Sequence, residues 1–258
     1  MASSRGWWAV ACVLLGSAAP ARAIHGGAEV AASEGGAAVF FEWREGPRSG
    51  SCSGTLIAPA AVLTAAHCVR AANGRARRVR TVRVGNPGGR TARARVTATH
   101  VHPDFDAKRP EAGRDLALLL LAAPVADHVP LRPATAADDP TQQGERLTIT
   151  GFGLSPRKGR LVHTRKLLGT SLEYLPPHSC FSGPVAEMAS TRMCAASPTS
   201  GVCPGDSGAP ALRVITPGEP AVLIGVVSLA IDERRCSTTA AVLTRVSAFR
   251  GWIDGLLR

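Results

Sequence analysis

This sequence predicts an all-β fold closed by a C-terminal helix, on three observations. Apolar runs are short and recur at regular intervals, broken by Gly, Pro, Asn and Asp. Helical periodicity is scarce through the body of the chain. It surfaces in the tail that starts at Ser247, where apolar residues return on one side of a 3.6-residue repeat.

The elements follow in order. Arg5, an apolar stretch from Trp7 to Leu15, and small residues ending at Ala21, Arg22 and Ala23 read as a secretory signal peptide over residues 1–23. Its apolar part is too short to cross a bilayer, and no later run is long enough, so no membrane span is expected. Cys12 lies inside this leader with too little apolar sequence before it for lipid attachment. Residues 52–64 read as two strands joined at Pro59, followed by strands over 79–84, 94–101 and 116–121. A Pro-, Ala- and Asp-rich stretch near 130–143 is the candidate linker. Further strands fall over 146–153, 166–174, 192–196, 209–215, 221–229 and 240–246. In the tail, Phe249, Trp252, Ile253, Leu256 and Leu257 share one helical face, with Ser247 as N-cap.

The formal charge is +11, and +9 over residues 24–258, because the leader carries Arg5 and Arg22 and no acid. Those 235 residues suffice for one sizeable all-β unit or two small ones. Basic residues cluster in the stretch that begins at Arg70 and ends at Arg95, which holds no Asp or Glu. Over 78–84 arginine and valine partly alternate, as in a strand with one wet face. That face reads either as an anion-binding exosite for a polyanion, a membrane surface or an acidic substrate, or as a solvated edge that discourages aggregation. No motif supports nucleic-acid binding.

The chemistry-bearing segment is Gly201-Val-Cys-Pro-Gly-Asp-Ser207-Gly-Ala-Pro210. Gly205 and Gly208 flank Ser207, so the backbone can turn sharply and present a hydroxyl together with N–H groups. A serine needs a base to become a nucleophile, and the base needs an orienting carboxylate. Thr64-Ala-Ala-His67-Cys68 offers the imidazole, and Asp115 stands at the head of an apolar run reaching Leu121. Singly, each has a bland reading: a turn serine, one structural histidine among seven, an acid that starts a strand. Jointly, the order His, Asp, Ser separates them from the subtilisin and α/β-hydrolase orders, and Ala209 breaks the hydrolase elbow G-x-S-x-G. On these three motifs the chain resembles the chymotrypsin/trypsin-like serine endopeptidases, from Ile24 to the C-terminus.

The resemblance implies two six-stranded antiparallel β-barrels and a terminal helix over 24–258, with His67 and Asp115 on the first barrel and Ser207 on the second. It implies a secreted (extracellular or periplasmic), monomeric peptide hydrolase acting on protein or peptide substrates. Ser207 would attack the carbonyl, His67 would act as base and then acid, Asp115 would orient it, and the N–H groups of Gly205 and Ser207 would bind the oxyanion. Ser228, Leu229 and Ala230 would pair with substrate backbone, Ser228 also touching Asp115; Leu229 replaces the family's usual Trp. Gly201, with Val202 beside it, stands where Arg- or Lys-specific relatives carry an aspartate, and Ala230 and Ala241 replace glycines that keep the pocket wide. Cleavage after small or medium apolar residues is therefore expected, as in elastases. Asp232 and Glu233 lie near the rim, where they would admit a cation.

Beyond Cys12, six cysteines remain, which by count alone permit 15 pairings. They lack the paired C-x-x-C spacing of a zinc site. The resemblance selects Cys52–Cys68, Cys180–Cys194 and Cys203–Cys236. It also places the acid-free stretch where many relatives bind calcium, so no calcium, other metal or cofactor is expected. Ile24-His25-Gly26-Gly27 resembles the family's mature terminus, with His25 departing from it, and the freed ammonium of Ile24 would pair with Asp206. Cleavage after Ala23 would release this terminus directly. Cleavage after Ala21 would leave Arg22 and Ala23 for a dipeptidyl peptidase, and the direct route is expected. The competing reading is a non-enzymatic, basic defence or polyanion-binding protein on the same fold.

Overall fold

A computed structural model describes residues 24–157, 160–163, 166–180, 184–230, 236 and 240–258. The leader expected over residues 1–23, and Asp232 and Glu233, lie outside the described residues. A two-residue strand, β1 (Ala28–Glu29), precedes the first barrel. That barrel comprises β2 (Ala38–Glu45), β3 (Arg48–Ala58), β4 (Ala61–Thr64), β5 (Thr81–Gly85), β6 (Thr91–Val101) and β7 (Ala117–Leu121), closed in the order β2-β3-β4-β7-β6-β5. Closure removes the sheet edges, and alternate side chains fill the interior. Pro59 and Ala60 make the joint between β3 and β4, as the sequence predicts. In β5, Val82 and Val84 are buried and Arg83 lies half-buried between them; in β6, Arg93 and Arg95 are exposed. The arginine-rich stretch does form a strand pair with one wet face.

The second barrel uses β8 (Arg146–Gly151), then a separate hairpin of β9 (Leu154–Arg157) and β10 (Arg160–His163), then β11 (Leu168–Leu175). It continues through the short helix α1 (Val185–Thr191), β12 (Arg192–Ala196), β13 (Pro210–Arg213), β14 (Val222–Ala230) and β15 (Ala241–Arg245). The order β11-β12-β15-β14-β13-β8 closes through β8–β11 pairing, and β1 adds to β11 at Ala28↔Gly169. All these pairings are antiparallel. The chain is thus two six-stranded antiparallel barrels.

The stretch over 130–143 is stitched to both barrels. Leu131 N–H donates to Leu56 C=O, and Ala134 N–H to Leu223 C=O. A 3-10 turn (Ala136–Asp138) is held by a capping box between Thr135 and Asp138. The Arg132 guanidinium beside Asp138 holds its carboxyl well below the usual range. Next to it, Asp139 Oδ2 accepts from Arg245 Nη1 at 2.8 Å and Ser247 Oγ at 2.7 Å.

That last bond corrects one expectation. Ser247 does not cap the terminal helix: a 3-10 turn (Ser247–Phe249) intervenes, and α2 (Arg250–Leu257) begins without a side-chain cap. The hydroxyl is spent on Asp139 instead. Phe249 and Ile253 are buried, with Trp252 and Leu256 beside them, all against the core of the first barrel. Leu257 departs from the expected face and is 36% exposed. The His102 ring edges onto Phe249 and Trp252 at 4.9 and 5.2 Å between centroids.

Candidate active site

The loop that carries Ser207 turns sharply because flexible glycines stand near it, at Gly205 and Gly208. Gly205 has φ +95° and Gly208 φ +84°, a region L side chains rarely adopt. A Cβ at Gly208 would also collide with Ser53 C=O and Thr64 Oγ1. Ser53, on β3, braces this loop from the opposite barrel. Its N–H donates to Ser207 C=O at 2.8 Å and its hydroxyl to Gly205 C=O at 3.0 Å. Within the second barrel, Gly208 N–H donates to Val227 C=O at 2.8 Å.

His67 sits in a 3-10 turn (Ala66–Cys68) directly after β4, and Asp115 lies two residues before β7. The Asp115 carboxylate is fully buried. Its Oδ1 accepts the His67 backbone N–H at 2.9 Å. Its Oδ2 accepts His67 Nδ1 at 2.7 Å and Ser228 Oγ at 2.6 Å. A buried charge is tolerated when its lone pairs are met by donors, and three donors meet this one. Because a carboxylate only accepts, Nδ1 must carry the proton, which leaves Nε2 as the acceptor. Thr244 Oγ1 donates to the Asp115 carbonyl at 3.1 Å and fixes the same residue from β15.

His67 and Ser207 line one cavity of about 440 Å³. Cys68 Sγ stands between them, 3.9 Å from His67 Nε2 and 3.7 Å from Ser207 C=O. Val202, Cys203, Pro204, Gly205, Val227, Leu229 and Ala230 form the wall from the second barrel. Gly201 and Ala241 are buried and not part of that wall, Ala241 lying opposite Ala230 in the β14–β15 ladder. The wall from the first barrel includes Trp43, Ser51, Cys52 and Arg77. Sequence reading missed Trp43, Arg77 and Ser53. Period-2 alternation of Val39, Phe41 and Trp43 was the available signal for the first, whereas Arg77 and Ser53 reach the site only through long-range folding.

Ile24 is fully buried among the second barrel's apolar residues, and His25 C=O accepts Gly201 N–H at 3.0 Å. Asp206 is equally buried. Its oxygens accept Gly153 N–H at 2.8 Å and Cys203 N–H at 2.9 Å. Burial nevertheless pushes its carboxyl up to about 7, against the pull of those two donors. Disulfides join Cys52 to Cys68, Cys180 to Cys194 and Cys203 to Cys236. Among the described residues, one trio has metal-ligand spacing: Cys52, His67 and Cys68. Both of its sulfurs are committed to a disulfide, so the trio offers no thiolates. Among the described residues, no helix is long and apolar enough to cross a membrane.

The family model named Trypsin matches residues 24–253. The chain is 33% identical over 223 residues to chymotrypsin-like elastase family member 1 of Felis catus, covering 80% of this chain and 79% of that one. Other relatives are longer: it spans 13% of an ovochymase of Halocynthia roretzi at 27% identity over 78% of this chain. It spans 34% of the serine protease Hayan of Drosophila melanogaster at 29% identity over 80% of this chain. The solved structure described as "Structure of GrC" superposes with a TM-score of 0.73 at 22% identity, covering 90% of this chain and 98% of that one, a likeness of fold.

Proposed function

This chain belongs to the trypsin family of serine proteases, and we propose on that premise that it is a secreted endopeptidase acting through a Ser207 acyl-enzyme. The observation that carries the reading is the Asp115 carboxylate, buried and held by His67 and Ser228, with His67 facing the cavity that Ser207 also lines. His67 Nε2, the unprotonated nitrogen, takes the Ser207 proton as Oγ attacks the peptide carbonyl. The same proton then passes to the leaving amine, and water repeats the sequence on the acyl-enzyme. Asp115 keeps the tautomer and stabilises the imidazolium. The N–H groups of Gly205 and Ser207 receive the oxyanion, where losing one donor typically costs about 10²–10³ in rate. Ser228, Leu229 and Ala230, at the end of β14, take the acyl half of the substrate as an added strand.

The residue before the scissile bond is small or medium and apolar. Gly201 supplies no carboxylate to neutralise a basic side chain, and Val202 and Ala230 make the wall apolar. Removal of residues 1–23 exposes the Ile24 ammonium, which pairs with the buried Asp206. A fluorophosphonate probe tests the nucleophile: it should label the processed protein and fail on Ser207→Ala. Chromogenic peptides that differ only in Ala, Val, Leu, Phe or Arg before the cleaved bond test the pocket. Preference for Arg would overturn it. N-terminal sequencing of secreted protein tests processing, where Ile24 first is expected and Arg22 first would favour the two-step route.

A second reading is a non-enzymatic polyanion-binding or defence protein. What favours it is a groove of about 240 Å³ on the first barrel lined by Arg44, Arg78, Arg80, Arg83 and Arg93 against one acid, Glu42. Tight heparin retention without probe labelling would select it.

A further inference from the structure

One cation reaches the active-site cavity from the first barrel. The Arg77 guanidinium carbon lies over the Trp43 ring, 3.9 Å from its centroid, and both side chains line the cavity with His67 and Ser207. Its Nη1 donates to the His67 carbonyl at 2.6 Å, which fixes the guanidinium one residue's reach from the imidazole. On the far side its Nε is 3.7 Å from Glu45 Oε2. Glu45 is itself engaged: Asn73 Nδ2 donates to its Oε1 at 3.0 Å, and Arg48 faces it across the β2–β3 ladder. Neither Glu45 nor Arg48 lines the cavity, and no Asp or Glu does among the described residues. The cavity therefore meets the guanidinium and not its counter-ion. Partial burial, at 22% side-chain exposure, strengthens its attraction for an anion relative to an exposed cation, and the contact with the Trp43 face and the bond to the His67 carbonyl hold it in place.

The polarity of the cleft assigns this wall to one half of the substrate, an assignment that rests on the function proposed above. The acyl half lies along the β14 edge of the second barrel, so the leaving half crosses the first-barrel wall of Trp43, Ser51, Cys52 and Arg77. Successive residues of an extended chain advance about 3.3–3.6 Å each. A side chain one or two positions past the cleaved bond is thus within reach of a guanidinium anchored to the His67 carbonyl. We propose that Arg77, stacked on Trp43, selects substrates carrying Asp or Glu in the first two positions after the scissile bond. This preference belongs to the leaving group and is independent of the apolar pocket on the acyl side.

The test uses processed enzyme and two quenched fluorescent peptides with the same acyl half, one with Glu and one with Gln at the second leaving-group position. A p-nitroanilide of the same acyl half, which has no leaving-group residue, reports basal turnover. The Glu peptide should show a kcat/KM about fivefold to tenfold above the Gln peptide at low salt, and the gap should narrow as salt rises. Arg77→Gln should erase the Glu/Gln ratio whatever it does to overall rate, and Arg77→Lys should restore part of it. Equal Glu and Gln rates in the unmutated enzyme, with the p-nitroanilide hydrolysed, would overturn the proposal while leaving the protease reading intact. That comparison needs no variant to fold. Failure to hydrolyse all three substrates would overturn both.

Discussion

Keeping the peptide bond before Ile24 intact should make stability steeply dependent on pH through one group. In the uncut chain the Ile24 nitrogen is an amide and carries no charge, so Asp206 has two backbone donors and no ammonium. Burial raises its carboxyl from the ordinary 3.8 to about 7. A folded-state value above the unfolded one means that stability is fully present below the unfolded value. It is lost as pH climbs from about 4 to about 7 and is flat above that. The rise to about 7 corresponds to about 4 kcal/mol, with no discount for solvent because the group is fully buried. The assay is urea unfolding, followed by circular dichroism, of a chain retaining Arg22 and Ala23 on a Ser207→Ala background. Its stability at pH 4 and pH 8 is compared with that of the same chain carrying Asp206→Asn. The asparagine has nothing to ionise, so its curve should lack this component, whatever its absolute stability. Cutting before Ile24 should shrink the difference, because the ammonium then balances the carboxylate. Parallel pH curves for the uncut chain with and without Asp206→Asn would refute the reasoning.

Four further outcomes are expected. Ser228→Ala removes one charge-assisted donor from the buried Asp115 Oδ2; kcat/KM should fall about 10- to 100-fold, and urea unfolding should register a loss of about 1.5–3 kcal/mol. Gly208→Ala meets both an unfavourable φ and the Ser53 carbonyl, and urea unfolding should register a loss of about 2–4 kcal/mol. Replacing Cys52 and Cys68 together by Ala opens a loop closed over a separation of 16 residues, at a cost of about 3 kcal/mol in the same assay. In processed enzyme, the proposed pairing with Asp206 would raise the Ile24 ammonium above its free value of about 7.7–8.0. Its stabilising contribution is therefore complete below that range and lost as pH rises through the higher folded value. A pH–rate profile should show a reversible alkaline fall, and none if the terminus is not the switch.

Which parts of this were legible from residues alone follows from how local each signal is. Ser207 between Gly205 and Gly208, and His67 beside Cys68, are local patterns, and the glycines are needed for backbone reasons that a sequence displays. Asp115 was legible as an acid at the head of a buried strand. Its donors were not readable from spacing, because Ser228 and Thr244 lie 113 and 129 residues away; only the resemblance supplied Ser228. β2 was missed although Val39 and Phe41 alternate inward, because Ala38 and Phe40 beside them blur the period. Ser247 misled for the opposite reason. It satisfies the N-cap pattern, yet a carboxylate 108 residues earlier competes for its hydroxyl and wins. Arg77 looked like one more residue of a basic stretch, and only the turn that brings it onto Trp43 gives it a place in the cleft.

The terminal helix has a bearing on how the molecule is made. Its Ile253, with Phe249 and Val246 just before it and Leu223 and Val226 of β14, joins the apolar cluster of a barrel whose own strands end at Leu121. A ribosome that has delivered only that first half therefore leaves its greasy flank bare. Sealing waits until the segments that carry Leu223 and Ile253 have followed, so the first half made alone should be prone to aggregate.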